Sequence, residues 1–299
     1  MKLTIKKLAA IDIGSNAIRL LISNIIEDPS LKTPVFKKSA LVRVPIRLGS
    51  DTFLKGEISK KNKERMVKAM HAFKLLMEIH EVEDYKACAT SAIREASNGK
   101  DIVKYIAKKT GINIDIIDGK EEAAIIFSTD LSHFIEKEKS YLYVDVGGGS
   151  TEFTVFSKGQ IINSKSFKIG TVRLLKIKTQ TTPLWEDIEV WIKSNTEHLK
   201  NIYLIGSGGN INKIFKLSGK PYGTPLSIQY MKAYYNYLEQ LTFEQRILKL
   251  GLNSDRADVI LPATKIYINA MKWSGAQEIF VPKIGLSDGI IKGLYHKNT

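Results

Sequence analysis

The sequence predicts an α/β protein built from two similar domains, and three observations carry that prediction. The pattern apolar–Asp–apolar–Gly–small–small occurs twice, at Ile11-Asp12-Ile13-Gly14-Ser15-Asn16 and at Val144-Asp145-Val146-Gly147-Gly148-Gly149, with the two aspartates 133 positions apart. A repeat on that scale points to two related folding units. Strand-like and helix-like runs alternate along the chain, which is the order of an α/β architecture. No low-complexity stretch separates the halves, so the expectation is two domains, 1–126 and 127–299, facing each other across one cleft, with the last helix, 286–299, able to pack back on the first.

The elements follow in order. Leu8 to Ile22 reads as two strands around the polar turn Gly14-Ser15-Asn16. Ser59 can cap a helix running to about Glu81, with Met66, Met70, Phe73 and Met77 at helical spacing on its core face. Tyr85 to Ala89 is a short buried strand; a helix then runs from Asn98-Gly99 to Thr110 and stops at Gly111. Ile112 to Ile117 reads as a strand, and a helix from Gly119 continues to about Phe134. The second half repeats the opening pattern at Tyr141 to Val155. A strand is expected at Ile161 to Ile169, a helix at Leu184 to Leu199, and a strand at Tyr203 entering the glycine loop Gly206-Ser207-Gly208-Gly209. Helices are expected at 210–217, 227–249, 256–273 and 285–295, with a short strand at Ile279 to Pro282.

Composition narrows the class. At 299 residues, 43% hydrophobic and 25% charged, the chain has ordinary globular usage. Its longest apolar run, Ala123 to Phe127, falls far short of the about 20 residues of a membrane span. Asp12 and Arg19 interrupt the apolar segment that a secretory signal would need at the start. The single cysteine, Cys88, excludes an intramolecular disulfide and points to the cytosol. The net charge of +14 favours polyanionic partners. It is spread evenly, however, with no basic tail and no nucleic-acid recognition motif, so lysine on solvated faces accounts for it equally well.

Three glycine turns could cradle phosphate, at Gly14-Ser15-Asn16, Gly147-Gly148-Gly149-Ser150 and Gly206 to Gly209. Without a Cβ, successive backbone N–H groups can converge on an anion. A glycine turn alone serves turn geometry just as often; two turns, each preceded by Asp-x-Gly, are the stronger signal. The aspartate places a hard oxygen ligand beside the cradle, as a Mg²⁺–phosphate site requires. The five histidines lack metal spacing, which disfavours zinc. Arg94 can offer a planar fork to phosphate, or make a surface ion pair. Glu121 and Glu122 open a helix, and helical periodicity does not choose between them as a catalytic base rather than a complement to the helix dipole.

Taken together, these residues resemble the exopolyphosphatase / guanosine pentaphosphate phosphohydrolase (Ppx/GppA) family. The resemblance rests on Asp12-Ile13-Gly14-Ser15-Asn16 with Arg19-Leu20-Leu21, Ala89-Thr90-Ser91-Ala92-Ile93-Arg94, Gly119-Lys120-Glu121-Glu122-Ala123 and Asp145 to Glu152. Ile169 to Leu174, Gly206 to Asn210 and Arg256-Ala257-Asp258 follow in the family's order. The resemblance implies two ribonuclease-H-like domains, of the actin, sugar-kinase and heat-shock-ATPase superfamily, flanking the cleft. It implies Glu122 as the residue that activates water, and Arg94, Gly14, Ser15, Asn16, Gly147, Gly148, Gly149 and Ser150 as phosphate-binding. Asp145, Glu152 and Asp12 are implied at the metal, Mg²⁺ with Mn²⁺ as its substitute, and the Gly206 to Asn210 loop falls where related ATPases hold adenosine, there either to bind a nucleotide or only to shape the cleft.

The implied activity is hydrolysis of the terminal phosphate of inorganic polyphosphate, or, with the same site, of guanosine pentaphosphate. A non-catalytic polyphosphate or alarmone sensor and a phosphotransferase on the same fold are the alternatives. Expected partners are those phosphate polymers or nucleotides, with a homodimer as one expected assembly, and neither membrane nor nucleic acid. Two departures bear on this. The helical C-terminal domains of the family's long members are absent, which puts processivity in doubt, and Gly285-Leu286-Ser287-Asp288-Gly289 lacks an arginine often found after Gly-Leu.

Overall fold

In a computed structural model of the chain, the described residues are 3–129, 136, 138–176 and 182–297. The chain forms two compact units, Met1–Thr129 with Gly285–Thr299, and Asp130–Ile284. The first unit opens with three antiparallel strands, β1 (Thr4–Ile13), β2 (Ile18–Glu27) and β3 (Val35–Val44). Helices α1 (Leu48–Lys55) and α2 (Lys60–Ile79) follow, then β4 (Asp84–Ala89), α3 (Ser91–Glu95), α4 (Gly99–Thr110), β5 (Asp115–Ile116) and α5 (Gly119–Phe127). The sheet order is β3-β2-β1-β4-β5, with β4 parallel to β1 and β5 parallel to β4.

The second unit has β6 (Ser140–Val146), β7 (Thr151–Ser157), β8 (Gln160–Phe167), α6 (Thr171–Lys176), α7 (Thr182–Thr196), β9 (Ile202–Ser207) and α8 (Gly209–Leu217). It continues with β10 (Leu226–Ser227), α9 (Ile228–Gln240), α10 (Phe243–Leu250), α11 (Ser254–Ala257), α12 (Ile260–Ser274) and β11 (Glu278–Phe280). Its sheet order is β10-β11-β9-β6-β7-β8. An antiparallel three-strand meander followed by two parallel strands thus occurs in both units. This is the ribonuclease-H-like plan used twice, and the sequence repeat marks the equivalent hairpins β1–β2 and β6–β7. The closing helix α13 (Leu286–Lys297) belongs to the first unit, where Gly289 lies against the Ile125 carbonyl of α5 so closely that a Cβ would fall 2.0 Å from its oxygen.

Local chemistry explains most boundaries. Residues Leu8 to Ile13 of β1 are buried throughout, as a central strand with a parallel neighbour requires. The Ser59 hydroxyl accepts the Asn62 N–H and starts α2, whose Met66, Met70, Phe73 and Met77 are all buried. Gly111 ends α4 in the left-handed region, at φ 77°. The first core joins Ile11, Ile13, Ile18 and Leu20 to the α2 face; the second joins Val144, Val146, Phe153 and Leu204 to Ile211, Ile214 and Ile266.

Several expectations need correction. The strand expected over 112–117 is only Asp115–Ile116, because its one neighbour, β4, pairs with it at Cys88 and Ala89 alone. Helix 227–249 is two helices, since Thr242 and Gln245 form a capping box that starts α10 afresh. Helix 256–273 is also two elements, α11 ending at Ala257 and α12 starting at Ile260, here without a side-chain cap at the break. The expected continuation of α5 to Phe134 lies outside the described residues from 130 onward. Among the described residues, no helix is long and apolar enough to cross a membrane.

Candidate functional site

In the first unit, the carboxyl ends of β1, β4 and β5 carry the candidate residues, the edge where open α/β sheets bind ligands. The Gly14 N–H donates to the Ala17 carbonyl (3.1 Å), closing the β1–β2 turn. The turn's carbonyls are held by a neighbouring segment: Ser15 O accepts Gly49 N–H (2.8 Å) and Asn16 O accepts Arg47 N–H (3.0 Å). The Ser15 and Ser91 hydroxyls pair at 2.9 Å, linking this turn to the segment after β4. Asp12, buried at 5% exposure, stands opposite Arg19 across the strands and accepts from its guanidinium at 2.8 Å. Beside it, Cys88 is fully buried, and burial above all pushes its thiol up to about 12, so it is inert as a nucleophile.

Arg94 and the glutamate pair lie together. The Arg94 guanidinium donates to the Ile117 carbonyl at 2.6 Å, tying α3 to the segment that starts α5. Asp118 caps α5: one carboxylate oxygen accepts the Lys120 and Glu121 N–H groups, each at 2.8 Å, while the Glu121 carboxylate accepts the Asp118 N–H at 3.0 Å. These amide donors, Glu121 first, together with the Arg94 charge, hold the Asp118 carboxyl below its usual range. Glu121 is therefore committed to a capping box. Glu122 follows it on the half-buried side of the helix.

The second unit repeats the turn with different chemistry. Gly147 N–H donates to the Ser150 carbonyl (3.0 Å), as Gly14 does to Ala17. The start of α6 holds the turn from behind, with Thr171 N–H on Gly147 O, Val172 and Arg173 N–H on Gly148 O, and Arg173 Nε on Gly149 O at 2.7 Å. Among the described residues, the amides of Ser15, Gly148 and Gly149 find no acceptor in the protein. Gly148 and Gly149 are consecutive in that turn, so their two N–H groups are candidate donors to an anion.

Asp145 on β6 stands opposite Glu152 on β7 and beside Ser207 on β9. Glu152, 2% exposed, accepts from the Ser150 (2.7 Å) and Ser166 (2.9 Å) hydroxyls. Buried Tyr143 and Tyr267 are held well above the usual phenol range, by burial first and the Asp145 charge second. The third glycine loop is built against this group. Tyr267 donates to the Ser207 carbonyl, Ser207 Oγ donates to Ile284 O (3.0 Å), and Gly208, at φ 114°, lies where a Cβ would fall 2.9 Å from Val146 O and 3.4 Å from Asp145 Oδ1. That packing is a structural task for the loop.

The donor chemistry at Asp145 and Glu152 fits Mg²⁺. Two carboxylates directly opposite repel each other, and a hard cation between carboxylate and phosphate oxygens relieves that repulsion. Mg²⁺ takes one or two protein carboxylates and completes its shell with water and phosphate oxygens. Asp12 already faces Arg19. The 133-residue offset that maps Asp12 to Asp145 also maps Arg19 to Glu152. The cross-strand partner is basic in one unit and acidic in the other. Arg43 stands opposite Arg19 on β3, and the Arg47 N–H is bonded to the turn; no motif in the sequence marks either.

The double ribonuclease-H-like fold with these turns defines the class, and comparison with known proteins gives the family. The family model of the Ppx/GppA phosphatase family matches residues 33–298, and the chain belongs to that family. A bifunctional 3-dehydroquinate synthase/phosphatase of Fusobacterium nucleatum is 28% identical over 325 residues, taking in 97% of this chain and 47% of that protein. The chain thus spans about half the length of that relative. Exopolyphosphatase 1 of Mycobacterium leprae is 21% identical, over 95% of this chain and 88% of the relative. Among solved structures, the Aquifex aeolicus family member (23% identical, TM-score 0.78, 99% of each chain) and an exopolyphosphatase from Cytophaga hutchinsonii (24% identical, TM-score 0.80, 98% of each chain) share the fold.

Proposed function

We propose that the chain is a Mg²⁺-dependent exopolyphosphatase that removes the terminal phosphate of inorganic polyphosphate by attack of water. The observation that carries the reading is the division between the two glutamates. Glu121 is spent in the capping box, which leaves Glu122 as the carboxylate of the pair for proton transfer, on the helix whose start Arg94 braces. Glu122 takes a proton from the water as it attacks the terminal phosphorus in line with the departing anhydride oxygen. Arg94 holds equatorial oxygens of that phosphoryl group, and the amides of the glycine turns hold its neighbours; such positioning and charge stabilisation is most of phosphoryl-transfer catalysis. Asp145 and Glu152 would hold Mg²⁺, which neutralises phosphate charge when bound. Guanosine pentaphosphate is the second substrate that the same residues suit. The buried, lone Cys88 suits a reducing cytoplasm.

The test is phosphate release, with Mg²⁺, from long polyphosphate, tripolyphosphate and guanosine pentaphosphate side by side. Release from the inorganic polymers supports the proposal. Release from the nucleotide alone transfers the activity to that substrate, and binding of polyphosphate without any release makes the protein a sensor.

A further inference from the structure

Helix α5 carries Glu122, yet its own side chains hold it weakly. Among the described side chains of α5, Ile126 alone is buried. The start of the helix is fixed by the Asp118 cap and by Arg94, which grips the Ile117 carbonyl. Its end is fixed from outside. The last carbonyls of a helix lack ladder partners, and that of Ile125 is one of them. The Thr129 N–H turns to the Ile126 carbonyl (3.1 Å), while the Ile125 oxygen accepts the Ser128 hydroxyl (2.7 Å). Gly289 of α13 approaches the same oxygen. A Cβ there would lie 2.0 Å from it and 2.8 Å from Ile125 Cγ2, so the glycine hydrogen in the Cβ place is aimed at the carbonyl. Close Cα–H···O contacts of this kind recur where helices pack. Gly293, one turn later on α13, has nothing within 4 Å of its Cβ place.

We propose that Gly289 is a positioning residue for the reaction: its bare Cα lets α13 bear on the Ile125 carbonyl, which sets the depth of α5 and with it the place of the Glu122 carboxylate. This rests on the reading of Glu122 as the base. Of the two helices, α13 is the firmer. Its Ile290, Ile291 and Leu294 are buried, Asp288 pairs with Lys38 of β3 (2.7 Å), and the Tyr295 hydroxyl donates to Glu27 of β2 (2.8 Å). A methyl on Gly289 needs about 1 Å more room than the contact leaves, since Cβ atoms keep 3.0 Å from other heavy atoms. The less anchored α5 gives way and swings about its capped start. Glu122 lies three residues before Ile125, about 4.5 Å along the helix, and so takes up roughly half of the shift. Catalytic groups work only when held within about 0.5 Å of the productive geometry, and a misplacement of about 1 Å can cost a hundredfold.

The test compares wild type, G289A, G293A and E122Q, with G289A also made in the E122Q background. G289A should lower kcat on long polyphosphate about tenfold or more, with KM and calorimetric binding of the polymer within about twofold of wild type. G293A should match wild type. If the loss runs through Glu122, the two changes are not additive, and in the E122Q background G289A should cost less than about threefold. Unchanged kcat in a folded G289A, a matching loss of binding, or a loss of equal size with and without Glu122 overturns the proposal. Should G289A not fold, D288N carries the same cycle, because it frees α13 from Lys38. Its kcat should then fall about twofold to threefold, and only where Glu122 is present; an unchanged kcat overturns the proposal. Absence of phosphate release by wild type, or full activity of E122Q, overturns the function reading instead. Hydrogen exchange then decides the contact: G289A should speed exchange of the α5 amides at least about tenfold over G293A, and equal rates overturn it.

Discussion

Glu121 and Glu122 are chemically identical, and only their hydrogen-bonding surroundings distinguish them. Neighbouring helical residues point about 100° apart, so a capping box can take the first and leave the second for the site. Glu122→Gln should lower turnover on the order of 10²–10⁴-fold, the usual cost of losing a general base, while polyphosphate still binds. Glu121→Gln keeps an acceptor for the Asp118 N–H and should stay close to wild type. Turnover and equilibrium binding of both variants on one substrate decide the matter, and a dead Glu121→Gln beside a near-normal Glu122→Gln would reverse the assignment. The sequence does carry a signal that separates the two, since Asp118-Gly119-Lys120-Glu121 has the capping-box spacing of an N-cap acceptor followed three residues later by glutamate, whereas helical periodicity alone does not. The sequence also marks Arg19: aligning the two turns residue by residue sets a basic side chain against Glu152. Asp12 and Asp145 look alike as letters, and their cross-strand partners make them different. Asp145→Asn removes one of the carboxylates that face each other, so it should raise the Mg²⁺ concentration for half-maximal activity at least tenfold. A metal titration of turnover reads this, and an unshifted curve would remove Asp145 from the metal.

At the scale of elements, the repeated hairpins were legible because their pattern combines buried apolar strands with turn residues. Strand β3 was not. None of its ten residues is buried, six being exposed and four half-buried, and an edge strand of that kind lacks the period-2 signal. Helix α1 escaped for a related reason: it starts at Leu48 after the left-handed Arg47, with no side-chain cap to announce it. The second glycine turn depends on an element contact that sequence pattern does not reveal. A Cβ on Gly170 would lie 2.5 Å from the backbone of Gly148 and Gly149, where α6 meets the turn. Gly170→Ala must therefore push the turn away from the α6 amides that hold its carbonyls. Overpacking of this kind costs about 1–3 kcal/mol, so the melting temperature should fall by several degrees and turnover should fall with it. Gly293→Ala, where a Cβ meets nothing within 4 Å, is the control. A fully active, equally stable Gly170→Ala would mean that the turn does not need its anchor.

At the scale of the whole chain, the +14 charge has two readings that salt can separate. If the lysines only keep solvated faces soluble, ionic strength has little purchase on catalysis. If they draw a polyanion in, the attraction acts over distances that salt screens. The Debye length is about 10 Å at 0.1 M and about 3 Å at 1 M, so a field summed from dispersed charges fades across that range. Contacts made at hydrogen-bonding distance by Arg94 and the glycine-turn amides are screened much less. The two parts of the rate constant should therefore respond differently. Raising potassium chloride from about 0.05 to 0.5 M at fixed Mg²⁺ should raise KM for long polyphosphate roughly tenfold and change kcat less than twofold. Tripolyphosphate carries fewer charges and should show a shallower rise. Steady-state kinetics on both substrates, with Mg²⁺ saturating at every salt concentration, provide the measurement. A KM for the long polymer that stays flat would assign the excess lysine to solubility and leave capture to Arg94 and the glycine-turn amides.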